Sequence, residues 1–322
     1  MPTAVPAVCW LCSRCSHWMP PYSGFWHPIA GACCFLHACN SFYRRHMFRM
    51  PKDSFLLLHG KVAPLLNTTW TARSAQMAKV SSGCHVDTLL LLATTIRWLA
   101  GGSAWDIAYA FNISYATLHA RKFEVMDAIN TALRDNIQFP TSEAGLQRLA
   151  DGFARIARGT GGTIPNVVAA VDSVCIQRKA PIASKERNIA AQYCRKGFFA
   201  TTMLAFVDAC GRFLYISVSC ASSSHDSTLF GCSALGRKIL TGGLGSKWSI
   251  VGDDAFTCEG NIITPFAKHS LNPRQRNYNY FCSLLRQVVE CAFGRWKNKW
   301  GVLWRPLMVI VTSHHIAHVT HA

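Results

Sequence analysis

The spacing of apolar residues changes near residue 165, and this change constrains the fold more than any other feature. Before it, apolar residues recur at helical intervals, as at Leu118, Met126 and Ile129. After it, short β-branched and apolar runs alternate with turn residues, starting at 166–178. Three strands, a helix, a strand and a later long helix follow in order. The pattern therefore predicts an α/β domain, with a mixed sheet flanked by helices, after a helical region.

The same pattern divides the chain into four segments. They are a Cys-rich leader at 1–47, a helical region at 48–137, a connecting helix with a Gly-rich joint at 138–163, and the sheet domain at 164–322.

Within the helical region, 86–130 suits a helix-turn-helix. Ser103 and Asp106 have the spacing of a capping box, and Ser114 can cap the next helix, which would turn Phe123 inward. That helix carries Arg121 and Lys122 as candidate DNA-binding residues. An ordinary helical hairpin packed on the core is the alternative.

The charge balance is strongly basic. The chain has 33 Lys and Arg against 16 Asp and Glu, a formal net charge of +17. Such a charge favours a polyanionic partner, either nucleic acid or an anionic membrane surface. No apolar run is long enough to cross a bilayer, so we expect no membrane span.

Cysteine usage is uneven. Of 15 cysteines, six lie in the first 40 residues, and Cys-x-x-Cys spacing occurs at 9/12 and 12/15. A zinc-binding module is one interpretation, but no second ligand pair has a clean spacing. A poorly ordered leader is the interpretation that the pattern favours. We expect the remaining cysteines to be reduced thiols of an intracellular protein.

Three acids stand on apolar elements, where a carboxylate is costly. Asp172 interrupts a strand, Asp253 ends another, and Glu290 lies on the long helix. Converging carboxylates repel one another unless a cation lies between them, and hard oxygen ligands suit Mg²⁺ or Mn²⁺. Two such ions can promote in-line phosphoryl displacement. For each acid alone a structural role is the alternative: a turn or cap for the aspartates, and for Glu290 an i,i+4 pair with Arg286.

Asp226, at the start of the helix after the third predicted strand, is a candidate fourth metal ligand or an N-cap. Basic residues surround the acids in sequence and suit a phosphodiester track. The candidate DNA-binding residues among them are Arg195, Lys196, Arg286 and Lys297.

With these residues assembled, the chain resembles the PIF/Harbinger-type DDE transposases and the Harbinger transposase-derived nucleases from about Phe48 onward. The motifs that carry the resemblance are Val168-Ala169-Ala170-Val171-Asp172, Tyr193-Cys194-Arg195-Lys196-Gly197, Ser224-His225-Asp226-Ser227, Val251-Gly252-Asp253-Asp254-Ala255-Phe256, and the helix from Arg286 through Glu290 to Lys297. In this chain Ser173 stands where Gly is usual, and Cys194 where Asn is usual.

The resemblance implies an RNase H-like catalytic domain and a DDE-type metal-dependent nuclease. Its catalytic acids would be Asp172, Asp253 and Glu290, its cofactor Mg²⁺ or Mn²⁺, and its substrate DNA. It also implies a nuclear location, with some protein in the cytoplasm, and a Myb-like accessory protein as partner. The alternative is a domesticated DNA-binding or scaffold protein that keeps the fold but cuts weakly or not at all.

Overall fold

A computed structural model describes residues 46–66, 86–158, 160–181, 189–218, 223–267 and 269–307. Almost all of the predicted leader at 1–47, with its candidate zinc ligands, lies outside the described residues, as does the segment 67–85 of the predicted helical region. The chain divides into two units after Ala132.

The first unit is helical. Its helices are α1 (Lys52–Val62), α2 (Thr88–Leu99), α3 (Ala104–Ala110) and α4 (Tyr115–Ala132). Asp87 caps α2 by accepting a hydrogen bond from the backbone N–H of Leu90 at 2.7 Å. Gly101, which follows α2, has a φ of 100°, a conformation that glycine adopts without strain. Glycine therefore ends α2 without backbone strain.

The caps of α3 and α4 differ from each other. Ser114 accepts a hydrogen bond from the backbone N–H of Thr117 at 3.0 Å, as predicted. The Ser103 side chain makes no capping hydrogen bond, so the predicted capping box with Asp106 is wrong. The inward face of α4 also differs from the prediction. Lys122 is buried, whereas Phe123 is only partly buried.

The second unit is built on a five-stranded sheet of order β3-β2-β1-β4-β5. Its strands are β1 (Val167–Gln177), β2 (Ala200–Val207), β3 (Phe213–Ser217), β4 (Ser249–Val251) and β5 (Ile262–Ile263). The first three form an antiparallel meander, and β4 lies parallel to β1. A mixed sheet with β1 in its centre confirms the predicted fold class. The two-residue β5, which also runs parallel to β4, was not predicted.

Helices surround this sheet in the described part of the second unit. They are α5 (Glu143–Ile156), α6 (Asp226–Cys232), α7 (Ala234–Leu240) and α8 (Pro273–Lys299). The single helix predicted after the third strand is two helices, α6 and α7, because the chain breaks at Ser233, whose hydroxyl caps α7 by accepting a hydrogen bond from the N–H of Gly236. The long helix predicted from Arg286 begins earlier, because Asn272 and Gln275 form a capping box in front of it.

Apolar burial fixes these elements in place. Residues of α5, β1, β2, α6, α7 and β4 form one core cluster that includes Phe206 and Trp248. Helix α8 packs across β1, β2 and β4 through its own buried side chains, among them Leu285 and Val289. Among the described residues, no helix combines the length and apolar character needed to cross a bilayer.

Candidate active site

Asp172 lies in the centre of the sheet. Its carboxylate accepts a hydrogen bond from the backbone N–H of Ser173 at 2.7 Å, and its side chain is only 17% exposed. Burial, together with the neighbouring carboxylates of Asp253 and Asp226, raises the pKa of Asp172 to about 6, although the hydrogen bond from Ser173 and the charge of Arg286 act to lower it. A carboxylate in this position is destabilised when it ionises.

Asp253 reaches the same place from β4. The parallel register pairs Ala170 with Val251, so Asp172 and Asp253 each stand two residues beyond a matched pair on adjacent strands. Burial raises the pKa of Asp253, and the carboxylate of Asp226 adds to the rise. The register therefore brings these two candidate catalytic acids to matching positions along adjacent strands.

Asp226 is the first residue of α6 and joins the same group. The Ser173 hydroxyl donates a hydrogen bond to the Asp226 carboxylate at 2.5 Å, which ties α6 to β1 across 53 positions of sequence. Asp226 also raises the pKa values of both Asp172 and Asp253. These three aspartates, called the acid cluster below, therefore repel one another electrostatically.

Glu290 lies on α8 and is linked to the acid cluster through an arginine. The Arg286 guanidinium contacts the Glu290 carboxylate at 2.5 Å and the Asp172 carboxylate at 3.5 Å. The i,i+4 ion pair weighed from the sequence is therefore formed, and Arg286 lies between Glu290 and Asp172. The Glu290 side chain is 52% exposed.

The donor chemistry of the acid cluster suits a hard divalent cation. Carboxylate oxygens are the ligands that Mg²⁺ and Mn²⁺ prefer, and a cation would relieve the repulsion among Asp172, Asp226 and Asp253. Within the described ranges, no group of three or more His, Cys, Asp or Glu side chains is already arranged as a metal site. The residue types fit an ion, and some side-chain movement would be needed to coordinate one.

Asp208 is a buried acid outside the acid cluster, and its carboxylate has a different set of hydrogen-bond donors. Asp208, in the turn between β2 and β3, accepts hydrogen bonds from the backbone N–H groups of Cys210 and Arg212 at 2.9 and 2.8 Å. The Arg212 guanidinium adds an ion pair at 2.7 Å. Asp253 also accepts a backbone hydrogen bond in a turn, from the N–H of Ala255 at 3.1 Å, so the turn role weighed from the sequence is formed. Asp208 differs from Asp172 and Asp253 because its donors include two backbone N–H groups and a guanidinium at 2.7 Å.

Three candidate DNA-binding cations of the second unit differ in exposure, and two of them, Lys196 and Lys297, interact electrostatically with each other and with Cys175 of β1. Arg195 and Lys196 are exposed in the turn before β2, and Lys297 is partly buried on α8. Burial lowers the pKa of Lys297, and the positive charge of Lys196 lowers it further. Lys196 and Asp226 both affect the pKa of Cys175 on β1, which places this lysine pair close to the strand that carries Asp172.

The candidate DNA-binding residues of the first unit have different surroundings. Lys122 is 5% exposed, and its ammonium group lies over the Trp98 ring, 4.4 Å from the centroid. Burial lowers its pKa to about 8. Arg121 forms an ion pair with Glu124 at 2.8 Å, one turn along α4.

Sequence reasoning missed the roles of two residues. Ser173 was noticed only as a departure from a family motif, yet it holds Asp226. Arg286 was considered for DNA and for Glu290, but not for Asp172, which lies 114 positions away. The i,i+4 spacing signals the local pair, whereas nothing in the sequence signals the long-range one.

Residues 171–322 match the family described as DDE superfamily endonuclease. "Putative nuclease HARBI1" of Rattus norvegicus is 26% identical over 200 residues, which cover 62% of this chain and 54% of the rat protein. The Homo sapiens protein of the same name is 26% identical over 203 residues, 63% of this chain and 55% of its own length. No solved structure matches the chain.

Over residues 171–322, the second unit is similar to DDE superfamily endonucleases, and its mixed sheet has the order β3-β2-β1-β4-β5. The resemblance to Harbinger transposase-derived nucleases is likewise confirmed by the HARBI1 relatives. The chain spans about half the length of the curated relatives it matches.

Proposed function

We propose that this chain is a transposase-derived nuclease that cuts DNA phosphodiesters with the help of a divalent cation. The observation that carries the proposal is the acid cluster. Asp172, Asp226 and Asp253 come from three separate parts of the fold, and burial together with the neighbouring carboxylates raises the pKa values of Asp172 and Asp253. Folding tolerates such a conflict where function needs it, and perturbed carboxylates mark candidate catalytic sites.

Asp172 and Asp253 would hold the cation, with Asp226 as a further ligand and Glu290 completing the set. Bound Mg²⁺ or Mn²⁺ would supply Lewis-acid stabilisation of the charge that develops on the phosphoryl oxygens. The protein's own contribution is to fix the ligands. Parallel strands β1 and β4 set the spacing of Asp172 and Asp253, and the Ser173 hydroxyl orients Asp226.

Arg195, Lys196 and Lys297 would bind the DNA backbone beside the acid cluster. A phosphate between Lys196 and Lys297 would relieve the repulsion that lowers the pKa of Lys297. Such contacts fix the position of the duplex without reading its sequence. The exposed location of Arg195 and Lys196 supports this assignment.

The decisive experiment measures nicking of supercoiled plasmid by the purified full chain, with Mg²⁺ or Mn²⁺ and with a chelator. We expect nicking only with the metal. Asp253→Asn should lower the rate about a thousandfold or more, since a lost metal ligand removes several kcal/mol of transition-state stabilisation.

Asp254→Asn is the matched control, because it removes the same charge from the next, exposed residue of the same loop. Its rate should stay within a few-fold of the unmodified protein. Equal loss in both variants, or nicking that persists in the chelator, would contradict the proposal.

A DNA-binding or scaffold protein without cutting activity is the second candidate. The ion pairs of Arg286 favour it, because a guanidinium already lies between Asp172 and Glu290. DNA binding with no metal-dependent nicking under any condition would select this candidate.

Three further assignments stay predictions. They are the nuclear location with some protein in the cytoplasm, the Myb-like accessory partner, and the zinc-binding interpretation of the leader. The metal content of residues 1–45, expressed alone, tests the last of these.

A further inference from the structure

One guanidinium nitrogen of Arg286 contacts the carboxylates of two acids that lie on different elements. Its Nη1 atom lies 3.5 Å from Asp172 Oδ2 on β1 and 2.5 Å from Glu290 Oε1 on α8. The Arg286 side chain is 24% exposed, so solvent can reach the group. Arg286 therefore supplies positive charge at the place where the proposed function needs a cation.

A guanidinium binds carboxylate and phosphate with the same planar fork of N–H donors. A DNA phosphate is thus a chemically equivalent alternative to the Asp172 and Glu290 carboxylates. If Arg286 moves onto a phosphate, those two carboxylates lose their counter-ion at the moment when substrate is present. The affinity of these carboxylates for a divalent cation then increases.

We propose that Arg286 is a positioning residue that couples DNA binding to completion of the metal site. Without DNA, the Arg286 guanidinium pairs with the Asp172 and Glu290 carboxylates. With DNA, it pairs with a phosphate instead, and both carboxylates become available to the cation. This inference rests on the proposed function. Because coupling between two binding sites is reciprocal, DNA should tighten metal binding by the same factor as metal tightens DNA binding.

The test titrates Mn²⁺ into the full chain, follows free Mn²⁺ by electron paramagnetic resonance, and repeats the titration with a short DNA duplex. Arg286→Gln removes the competing charge. We expect it to bind Mn²⁺ on the order of tenfold more tightly than the unmodified protein without DNA. The gain that DNA brings should shrink by a similar factor in this variant.

Arg295→Gln is the matched control, because Arg295 lies on the same helix and donates a hydrogen bond to the backbone carbonyl of Cys210 at 3.0 Å. It changes the net charge equally and should leave Mn²⁺ affinity close to that of the unmodified protein. Arg286→Lys keeps the positive charge, so without DNA it should bind Mn²⁺ about as weakly as the unmodified protein does. Thermal unfolding by circular dichroism verifies that each variant is folded.

The inference is overturned if Arg286→Gln and Arg295→Gln bind Mn²⁺ equally, or if DNA tightens Mn²⁺ binding by the same factor in Arg286→Gln and in the unmodified protein. Failure of the proposed function looks different. In that case the unmodified protein binds no Mn²⁺ in either condition, or nicks no DNA.

Discussion

The helical unit and the sheet unit differ in how they accommodate charged side chains. In the helical unit, Lys122 lies over an aromatic ring and Arg121 pairs with Glu124, so both cations have partners inside the unit. In the sheet unit, like charges lie close together. Carboxylates crowd around Asp172, and Lys196 lowers the pKa of Lys297.

This difference indicates which charged side chains need a bound counter-ion. A charge with a partner inside the unit needs no bound counter-ion, whereas like charges held together cost folding free energy that a bound counter-ion recovers. A formal net charge of +17 counts all cations alike and cannot separate the two kinds. The location of each side chain separates them, and the predictions below test that separation.

The largest expected effect is on stability, from Asp172→Asn in metal-free protein. The native pKa of Asp172 is raised from 3.8 to about 6, so between these pH values the native state binds more protons than the unfolded state. Stability therefore falls as pH rises through that window, and ionised Asp172 costs at most about 3 kcal/mol above it. Asp172→Asn should remove this cost, so it should stabilise the protein near pH 7 and change little near pH 4.

Urea unfolding at both pH values, with a chelator present, measures this effect. Asp208→Asn is the matched control, because Asp208 is buried but fully supplied with donors. That variant should destabilise the protein by about 1–3 kcal/mol. If both variants destabilise the protein equally at pH 7, the acid cluster is not in electrostatic conflict and the comparison between the units fails.

The second effect is on DNA affinity, from the double variant Lys196→Gln with Lys297→Gln. We expect about tenfold weaker binding near physiological salt, because two phosphate contacts are lost. The dependence of log affinity on log salt should become shallower by about 2. Fluorescence anisotropy with labelled duplex at several salt concentrations measures both quantities.

Lys238→Gln with Lys247→Gln removes the same charge elsewhere in the sheet unit and is the control. Lys238 is exposed on α7, and Lys247 pairs with Glu143. Both double variants should share any general effect of net charge. Equal loss of affinity would mean that the lysines beside the acid cluster form no specific phosphate site.

Much of the fold could be predicted from the sequence, for identifiable reasons. The run 166–178 is too β-branched for a helix, and the alternating pattern after it predicted β2, β3 and β4. Parallel neighbours in that order bring Asp172 and Asp253 together. Strand β5 escaped prediction, because two residues such as Ile262–Ile263 are too few to show a period.

The rest of the site depends on long-range packing. The bond from Ser173 to Asp226 and the contact from Arg286 to Asp172 join residues 53 and 114 positions apart. No local period encodes such distances. The burial of Lys122 is a different case, since it lies at i+4 from Leu118 and i−3 from Val125 on the buried stripe of α4. The helical spacing of Lys122 from these apolar residues, rather than its charge, explains its burial.

The third effect is on stability in the helical unit, from Lys122→Met. Burial lowers the pKa of Lys122 to about 8, so a charged ammonium there costs free energy at neutral pH, and stability rises as pH increases from about 8 toward 10.5. Methionine fills a similar volume without charge. After loss of the cation–π contact with Trp98, we expect a net gain of about 1 kcal/mol. Urea unfolding at pH 7 and pH 10 should show the gain only at the lower pH.

The smallest effect is expected from Arg121→Gln, which tests whether a cation with a partner inside the helical unit contributes little to DNA binding. The ion pair with Glu124 is an i,i+3 pair on α4, and such pairs contribute about 0.2–0.5 kcal/mol, so the loss of stability should not exceed that range. DNA affinity should fall less than threefold, because the guanidinium is already engaged within its own helix. Anisotropy measured beside the lysine variants sets the scale. A tenfold or greater loss would show that α4 contacts phosphates, as the helix-turn-helix interpretation predicts, and that partners inside the unit do not keep a cation from DNA.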